Sequence, residues 1–373
     1  MTEIHLIRAA EAECDLYRIA CGHGESNLTD RGRRQSEATK KRFAGIRIDG
    51  VYTSDLYRAR AVADTVCGTK TPAGRQMKEL REIRLGEWEG KNRGNIAYED
   101  ADRFAKFKTA PDLWHVNGAE TRERVLDRML NAVRRIVAEN EGKAVAVVSH
   151  AFAVRFLMAE LAGMPPEKIH ELPCENNTAV SVINAEGGAL RPAILYDDGH
   201  LRDADFMSRE KPYVKPDFDT DLYFHALPWV EYGGIMADAV ECVWRDAGED
   251  RPFDRNVLLN DAALLPTTVG FVGHEPAAFL QMGLEPGRIT LLCTHPGCRK
   301  AGLGVQLIGR AAMLAGAAGA DRLRIALPKK NPHRKFFLDY GFVFAEENEE
   351  GRDILEKDLR FDLDSPDGRP GAP

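Results

Sequence analysis

The chain alternates short, uninterrupted apolar runs with longer amphipathic stretches, the rhythm of strands buried in a sheet with helices laid over it. Ile4 to Ile7 is such a run, stopping abruptly at Arg8 and a turn. Thr29 then opens a charged stretch to about Phe43; threonine there caps a helix by accepting a hydrogen bond from a free first-turn amide. Ile48 to Tyr52 predicts a short strand, and Ser54 to Ala59 a turn running into a helix. Ala144 to Val148 has no polar interruption, which predicts a parallel strand buried on both faces, ending at Ser149 and His150 before another helix.

The second half has its own pattern. From Leu222 to Gly248 an apolar segment with Trp229, Tyr232, Met236 and Trp244 predicts helices contributing to a core. Thr267 to Val272 and Ala277 to Leu284 flank Gly273-His274-Glu275-Pro276, a hairpin signal. Ile289 to Cys293 predicts a third strand, Arg299 to about Ala318 a long helix rich in Ala and Leu, and Leu323 to Leu327 a further strand. Between the halves the chain is polar and holds Pro212 and Pro216, and its last residues are rich in Pro, Gly and Asp. This predicts domains at 1–203 and 222–361, a linker at 204–221 and a disordered tail at 362–373. A total of 373 residues is enough for both domains to bury a core.

Composition narrows the function classes. A net charge of -7 argues against a general binder of nucleic acid or anionic membrane. The longest apolar stretch, Ala144 to Met164, is broken by His150, Arg155 and Glu160, and the N-terminus lacks a signal-peptide pattern, so a cytoplasmic location is expected. The seven cysteines include no Cys-x-x-Cys pair, so reduced thiols and no metal site are expected.

The ordered motifs of the first half carry its chemistry: Arg8-Ala9 after the first strand, Leu28-Thr29-Asp30-Arg31-Gly32-Arg33-Arg34-Gln35, Ser54-Asp55-Leu56-Tyr57-Arg58-Ala59, Leu80-Arg81-Glu82 with Gly86-Glu87-Trp88-Glu89-Gly90, and His150 after the buried strand. Over roughly residues 3–203 they resemble the histidine phosphatase (phosphoglycerate mutase-like) superfamily. The resemblance implies an α/β fold, a three-layer α/β/α domain, with Arg8, Arg58 and His150 binding phosphate and Glu82 protonating the leaving oxygen. It also implies a nucleophilic histidine at the position held by Ala9, whose methyl group has no lone pair to attack phosphorus. Loss of such a group costs on the order of 10^6 in kcat while binding groups survive. The sequence departs from the family elsewhere too: Cys14-Asp15 stands where the resemblance implies Gly-Asn, and Val62-Ala63 replaces the usual Thr-Ala of the Arg58 helix. His23, in Gly22-His23-Gly24-Glu25-Ser26, and Cys14 are the replacement nucleophiles to consider.

In the second half, Arg299-Lys300-Ala301-Gly302-Leu303-Gly304, Asn331, Phe336-Phe337 and Tyr340-Gly341-Phe342 resemble, in that order, the GNAT superfamily of N-acetyltransferases. The resemblance implies a mixed α+β domain over residues 222–361 and acetyl-CoA as co-substrate. Backbone amides from Arg299 to Gly304 would hold its pyrophosphate, with Asn331 near the pantetheine arm. Phe337 stands where the family often has an acidic tyrosine, so Tyr340 is the candidate acid. No general base is identifiable; Glu275, Glu285 and His295 are read as structural or solvated.

The leading expectation is an acetyl-CoA-dependent N-acetyltransferase, acting on a small-molecule amine or a protein N-terminus or lysine, fused to a degenerate phosphatase-like domain that binds phosphate or a phosphate ester. The alternatives are a phosphatase of small phosphate esters in which Ala9 is an engineered replacement of the histidine, and a non-enzymatic sensor of phosphate and CoA.

Overall fold

The computed structural model describes residues 1–67, 74–172, 176–202, 221–225, 229–246 and 252–361. The expected linker, 204–221, lies outside these residues except for Asp221, as do the tail, 362–373, and the side chains of Trp229, Tyr232 and Met236.

The first unit contains strands β1 (Thr2–Arg8), β2 (Gly50–Thr53), β3 (Arg75–Gln76), β4 (Ala144–Ser149), β5 (Val180–Glu186) and β6 (Ala189–Asp197). They form one sheet in the order β3-β2-β4-β1-β5-β6. β1 to β4 are mutually parallel, while β5 and β6 join antiparallel at one side. β4 lies between β1 and β2, which is why Val145 to Val148 are fully buried. Helices α6 (Arg122–Glu139) and α7 (Ala151–Leu161) cover the face carrying Ile4, Leu6, Val145 and Val147. Helices α2 (Asp30–Phe43) and α3 (Tyr57–Cys67) cover the face carrying Ile7, Ala146 and Val148. This is the expected three-layer α/β/α arrangement. Thr29 caps α2 as expected, accepting from the Gly32 amide at 2.9 Å. The strand expected at Ile48 begins instead at Gly50, where pairing with Val145 starts. Helices α1 (Glu13–Leu16), α4 (Arg93–Glu99) and α5 (Ala101–Thr109) lie in connecting segments.

The second unit is mixed α+β. Its strands are β7 (Tyr223–His225), β8 (Thr267–Val272), β9 (Glu275–Met282), β10 (Arg288–Thr294), β11 (Arg322–Leu327), β12 (Val343–Glu347) and β13 (Asp353–Asp358). They run β12-β13-β11-β10-β9-β8-β7 across the sheet. The helices are α8 (Trp229–Asp246), α9 (Arg255–Leu264), α10 (Leu303–Ala317) and α11 (Arg334–Asp339). The expected β8–β9 hairpin is present. β10 and β11 are parallel, and they pair only at Arg288 with Arg324 and Ile289 with Ile325. Beyond these residues the two strands are unpaired with each other. α10 starts at Leu303 rather than Arg299, because Lys300 and Gly302 take left-handed φ values of 68° and 74°.

The two units meet through the segment after Ala9. Leu16 and Tyr17 are buried with Leu303, Leu307 and Ile308 in the second unit's core. A side chain at Gly309 would collide with Tyr17, so glycine there lets α10 approach. Arg18 pairs with Asp221 through both carboxylate oxygens, at 2.6 and 3.0 Å, and Lys357 pairs with Glu13 at 2.6 Å. Asn95 bonds the Phe224 backbone in both directions, at 2.9 and 3.0 Å.

Candidate active site

The parallel strands β1 and β4 end at one edge of the first sheet, where open α/β sheets commonly bind ligands. A cavity of about 570 Å³ opens there, and Arg8, Ala9, Arg58, Glu82 and His150 all line it. β1 delivers Arg8 and Ala9, α3 delivers Arg58, and His150 is the cap residue between β4 and α7. The sites expected from the first half of the sequence thus converge on one cavity. Arg18, Arg31, Arg93, Lys108 and Arg155 add positive charge, and Trp88, Phe104, Phe107 and Phe152 form an aromatic wall. Arg31 and Trp88 belong to motifs singled out in the sequence; the others carry no signal there, and only tertiary packing brings them to the cavity.

Arg58 is 5% exposed. Its Nη1 donates to the Gly24 carbonyl at 2.8 Å and its Nη2 to the Gly22 carbonyl at 2.7 Å. Burial opposes its charge, but the sulfurs of Cys21 and Cys14 with Asp15 and Glu82 outweigh burial and hold its pKa above the ordinary guanidinium value. Sequence reasoning expected both guanidiniums to be given to phosphate; the structure commits part of Arg58 to the 22–24 loop. Glu89 fixes the same loop by accepting from the amides of Gly22 and His23, both at 2.9 Å.

His150 is 2% exposed, and its Nε2 has no hydrogen-bond partner among the described residues. Burial, reinforced by Arg58 and Arg128, pushes its pKa well below the usual imidazole value, so it is neutral at pH 7. A neutral imidazole still carries one N–H to donate.

Glu82 differs from the expectation. Its Oε2 accepts from Phe152 N at 3.0 Å, and its Oε1 accepts from Ala153 N at 3.0 Å and Ile83 N at 2.9 Å. The carboxylate thus caps the start of α7, with both oxygens engaged by the backbone. Arg128 buttresses this segment, donating to the carbonyls of Glu79, Arg81 and Glu82 at 2.8, 2.6 and 2.9 Å. His23 is not brought into the cavity: its Nε2 lies 2.9 Å from the Glu82 carbonyl, beside Glu120.

A match to the family described as histidine phosphatase superfamily (branch 1) spans residues 4–198, more than half of the chain. The chain belongs to the histidine phosphatase superfamily. It is 28% identical over 218 residues to phosphoglycerate mutase-like protein 4 of Arabidopsis thaliana, covering 55% of this chain and 89% of that one. It is 25% identical over 184 residues to the adenosylcobalamin/alpha-ribazole phosphatase of Salmonella typhimurium, covering 49% of this chain and 91% of that one. The solved structure of Bacillus stearothermophilus YhfR is similar at 32% identity and a TM-score of 0.53, covering 54% of this chain and all of that one. Within this histidine phosphatase frame, the end of β1 carries Ala9, 3% exposed, with its amide donating to the Ser149 carbonyl at 2.7 Å.

In the second unit, Arg299 to Gly304 form the turn into α10 and its first residues. Arg299 and Lys300 are exposed, and the left-handed residues 300 and 302 bend the turn. Gly304 faces Phe336, whose ring would lie 3.0 Å from an added Cβ. Asn331 shapes the turn after β11: its Oδ1 accepts from His333 N at 2.8 Å. Tyr340 packs edge-on against Phe336 at 5.0 Å. Burial, with Asp339 and Glu11 of the first unit, pushes its hydroxyl pKa up. The structure thus makes Tyr340 a poorer proton donor than the acid role assigned from sequence demands. His295 Nδ1 accepts from Gly297 N at 3.2 Å, a turn-forming role.

Proposed function

We propose that the first unit binds a phosphate monoester at Arg8, Arg58 and His150 and, with alanine at position 9, holds it without covalent transfer. The observation that carries this reading is the arginine-rich cavity with Ala9 on its wall beside Arg8, Arg58 and His150. The Arg8 guanidinium and the free N–H groups of Arg58 suit a phosphoryl dianion. Neutral His150 donates one further hydrogen bond, and the aromatic wall takes the organic part of the ester. The methyl group of Ala9 offers no lone pair, so binding and turnover separate. Relatives whose names describe phosphatases support the phosphate-ester class.

The test is Ala9→His. Hydrolysis of a generic aryl phosphate should rise by about 10^3-fold or more, within the 10^6-fold range associated with a nucleophile. A folded variant that still releases no phosphate overturns the claim that the remaining machinery is intact.

The parting of β10 and β11 favours a second activity, acyl transfer from acetyl-CoA to an amine in the second unit. The unpaired strand edges offer hydrogen-bonding groups to the extended pantetheine arm, and the amides at the N-terminus of α10 suit a pyrophosphate. Bound acetyl-CoA would supply the activated acyl thioester; this chain's part is to position it beside a neutral amine. Calorimetric titration with acetyl-CoA decides: micromolar binding at about one site per chain supports this reading, and no binding to the folded chain overturns it.

A further inference from the structure

A single helical turn, α1, stands between the cavity and the second unit. Two backbone bonds close it, Ile19 N to the Cys14 carbonyl at 2.9 Å and Arg18 N to the Asp15 carbonyl at 3.3 Å. A helix end closed in this way needs a left-handed residue, a place that glycine usually takes. Here the residue is Arg18, at φ 59°. A residue with a Cβ disfavours that conformation and keeps it only where its surroundings impose it.

For Arg18 those surroundings include the entry to the second unit. Its side chain is buried, and its Nε and Nη2 donate to the equally buried Asp221 just before β7. The same arginine lines the cavity, together with Cys14 and Asp15 of the turn. The other side of the turn is fixed in the second unit, with Leu16 and Tyr17 in its core and Glu13 on Lys357 of β13. Lys357 also donates to the Tyr340 carbonyl at 3.2 Å, Tyr340 packs on Phe336, and Phe336 faces Gly304. Contiguous contacts therefore join the cavity wall to the turn into α10.

Charge makes Arg18 the part that can move. Arg93 lines the same cavity and makes no ion pair among the described residues. Burial and the neighbouring Arg18 charge lower its pKa, with Asp15 and Asp221 offsetting part of that. Two guanidiniums thus stand side by side at this wall, and an anion entering the cavity is attracted to both. We propose that Arg18 is an anion-responsive latch between the two units, held by Asp221 when the cavity is empty and drawn to the anion when it fills.

The exchange has a defined direction. Once the guanidinium turns to the anion, its side chain no longer holds the left-handed backbone at position 18, and α1 loosens from the second unit. The anion and the Asp221 carboxylate compete for one guanidinium, so removing either strengthens the hold of the other. A ligand that only stabilised the fold would slow backbone exchange at the junction; the latch requires that exchange there speeds up. This inference rests on the phosphate-site reading proposed above.

The experiment takes the full chain, measures amide hydrogen exchange by mass spectrometry with and without saturating inorganic phosphate, and titrates the parent and Asp221→Asn with phosphate by calorimetry. The expected result is exchange about tenfold faster at residues 13–19 and in the first turns of α10 when phosphate is bound, the scale of an ordinary coupling between sites. Asp221→Asn should exchange fast at these residues without phosphate and bind phosphate about tenfold more tightly than the parent. Slowed or unchanged exchange at residues 13–19 in the phosphate-bound parent overturns the latch, and this measurement decides even where Asp221→Asn fails to fold. An unchanged phosphate affinity in the folded variant overturns it as well. In both cases phosphate still binds, so the phosphate-site reading stands; absence of phosphate binding to parent and variant alike overturns that reading and the latch with it.

Discussion

The first unit's cavity and the second unit's turn into α10, the two places proposed above for phosphate groups, are built in opposite ways. The cavity collects Arg8, Arg58, Glu82 and His150 from separate elements, and both Arg58 and His150 are buried. The turn is one contiguous run from Arg299 to Gly304, with Arg299 and Lys300 exposed. In the cavity each wall has its own support: the 22–24 loop carbonyls for Arg58, Arg128 for the Glu82 segment, and the end of β4 for His150. A side chain can be absent from such a site while the rest of the cradle stands, which is the condition proposed above for Ala9. A single loop lacks that redundancy, and one altered glycine would change its conformation and its proposed anion contacts together.

The rate gain on Ala9→His is the largest effect that would sharpen this contrast. Next, Arg8→Ala should weaken inorganic phosphate binding by about 10- to 100-fold, the scale of one charge-assisted hydrogen-bonded contact. Calorimetry checks it, and an unchanged affinity would place the anion elsewhere.

Gly309→Leu should destabilise the whole chain by roughly 1–3 kcal/mol, because its side chain must displace Tyr17 at the junction. Denaturant unfolding measures this; an unchanged midpoint would mean that the units do not depend on this contact. Gly302→Glu should weaken acetyl-CoA by about tenfold or more, since it opposes a left-handed backbone and adds negative charge beside the pyrophosphate. Gly304→Glu is a less clean probe, because Phe336 stands in the way of any side chain there.

The smallest expected effect is on pH dependence. Burial, with Arg42 alongside, lowers the His200 pKa to about 4, and His150 is lowered well below its usual value. The unfolded chain therefore binds more protons than the folded one below about pH 6.5. Both histidines favour the folded state fully above that pH, and stability falls as pH drops from about 6.5 toward 4. His200→Asn should flatten part of this slope in thermal unfolding measured across that range; an unchanged slope would remove His200 as a contributor.

Much of the first unit was legible because its elements announce themselves locally. The apolar run of β4, the Thr29 cap and the arginine ending β1 each follow from a few neighbouring residues. Legibility failed where a side chain's partner lies far along the chain. Glu82 has the position of a leaving-group acid, yet the amides of Phe152 and Ala153 recruit it as a helix cap. Tyr340 has the spacing of an acid, but the junction packs it on Phe336 with Glu11 as a charged neighbour. Asp221 sat at the end of an expected linker and instead pairs with Arg18 through both oxygens.

By itself the sequence determined the strand and helix order of much of both units, the placement of Arg8, Arg58 and His150 at strand and helix ends, and an alanine after the first strand. Those properties reside in residue type and local spacing. Tertiary structure decided the gathering of Phe104, Phe107 and Phe152 around Trp88, the neutral state of His150 and the insertion of Tyr17 into the second unit's core. Burial and long-range proximity arise only when separate elements pack, and they control charge state and partner choice through forces that fall off over a few ångströms.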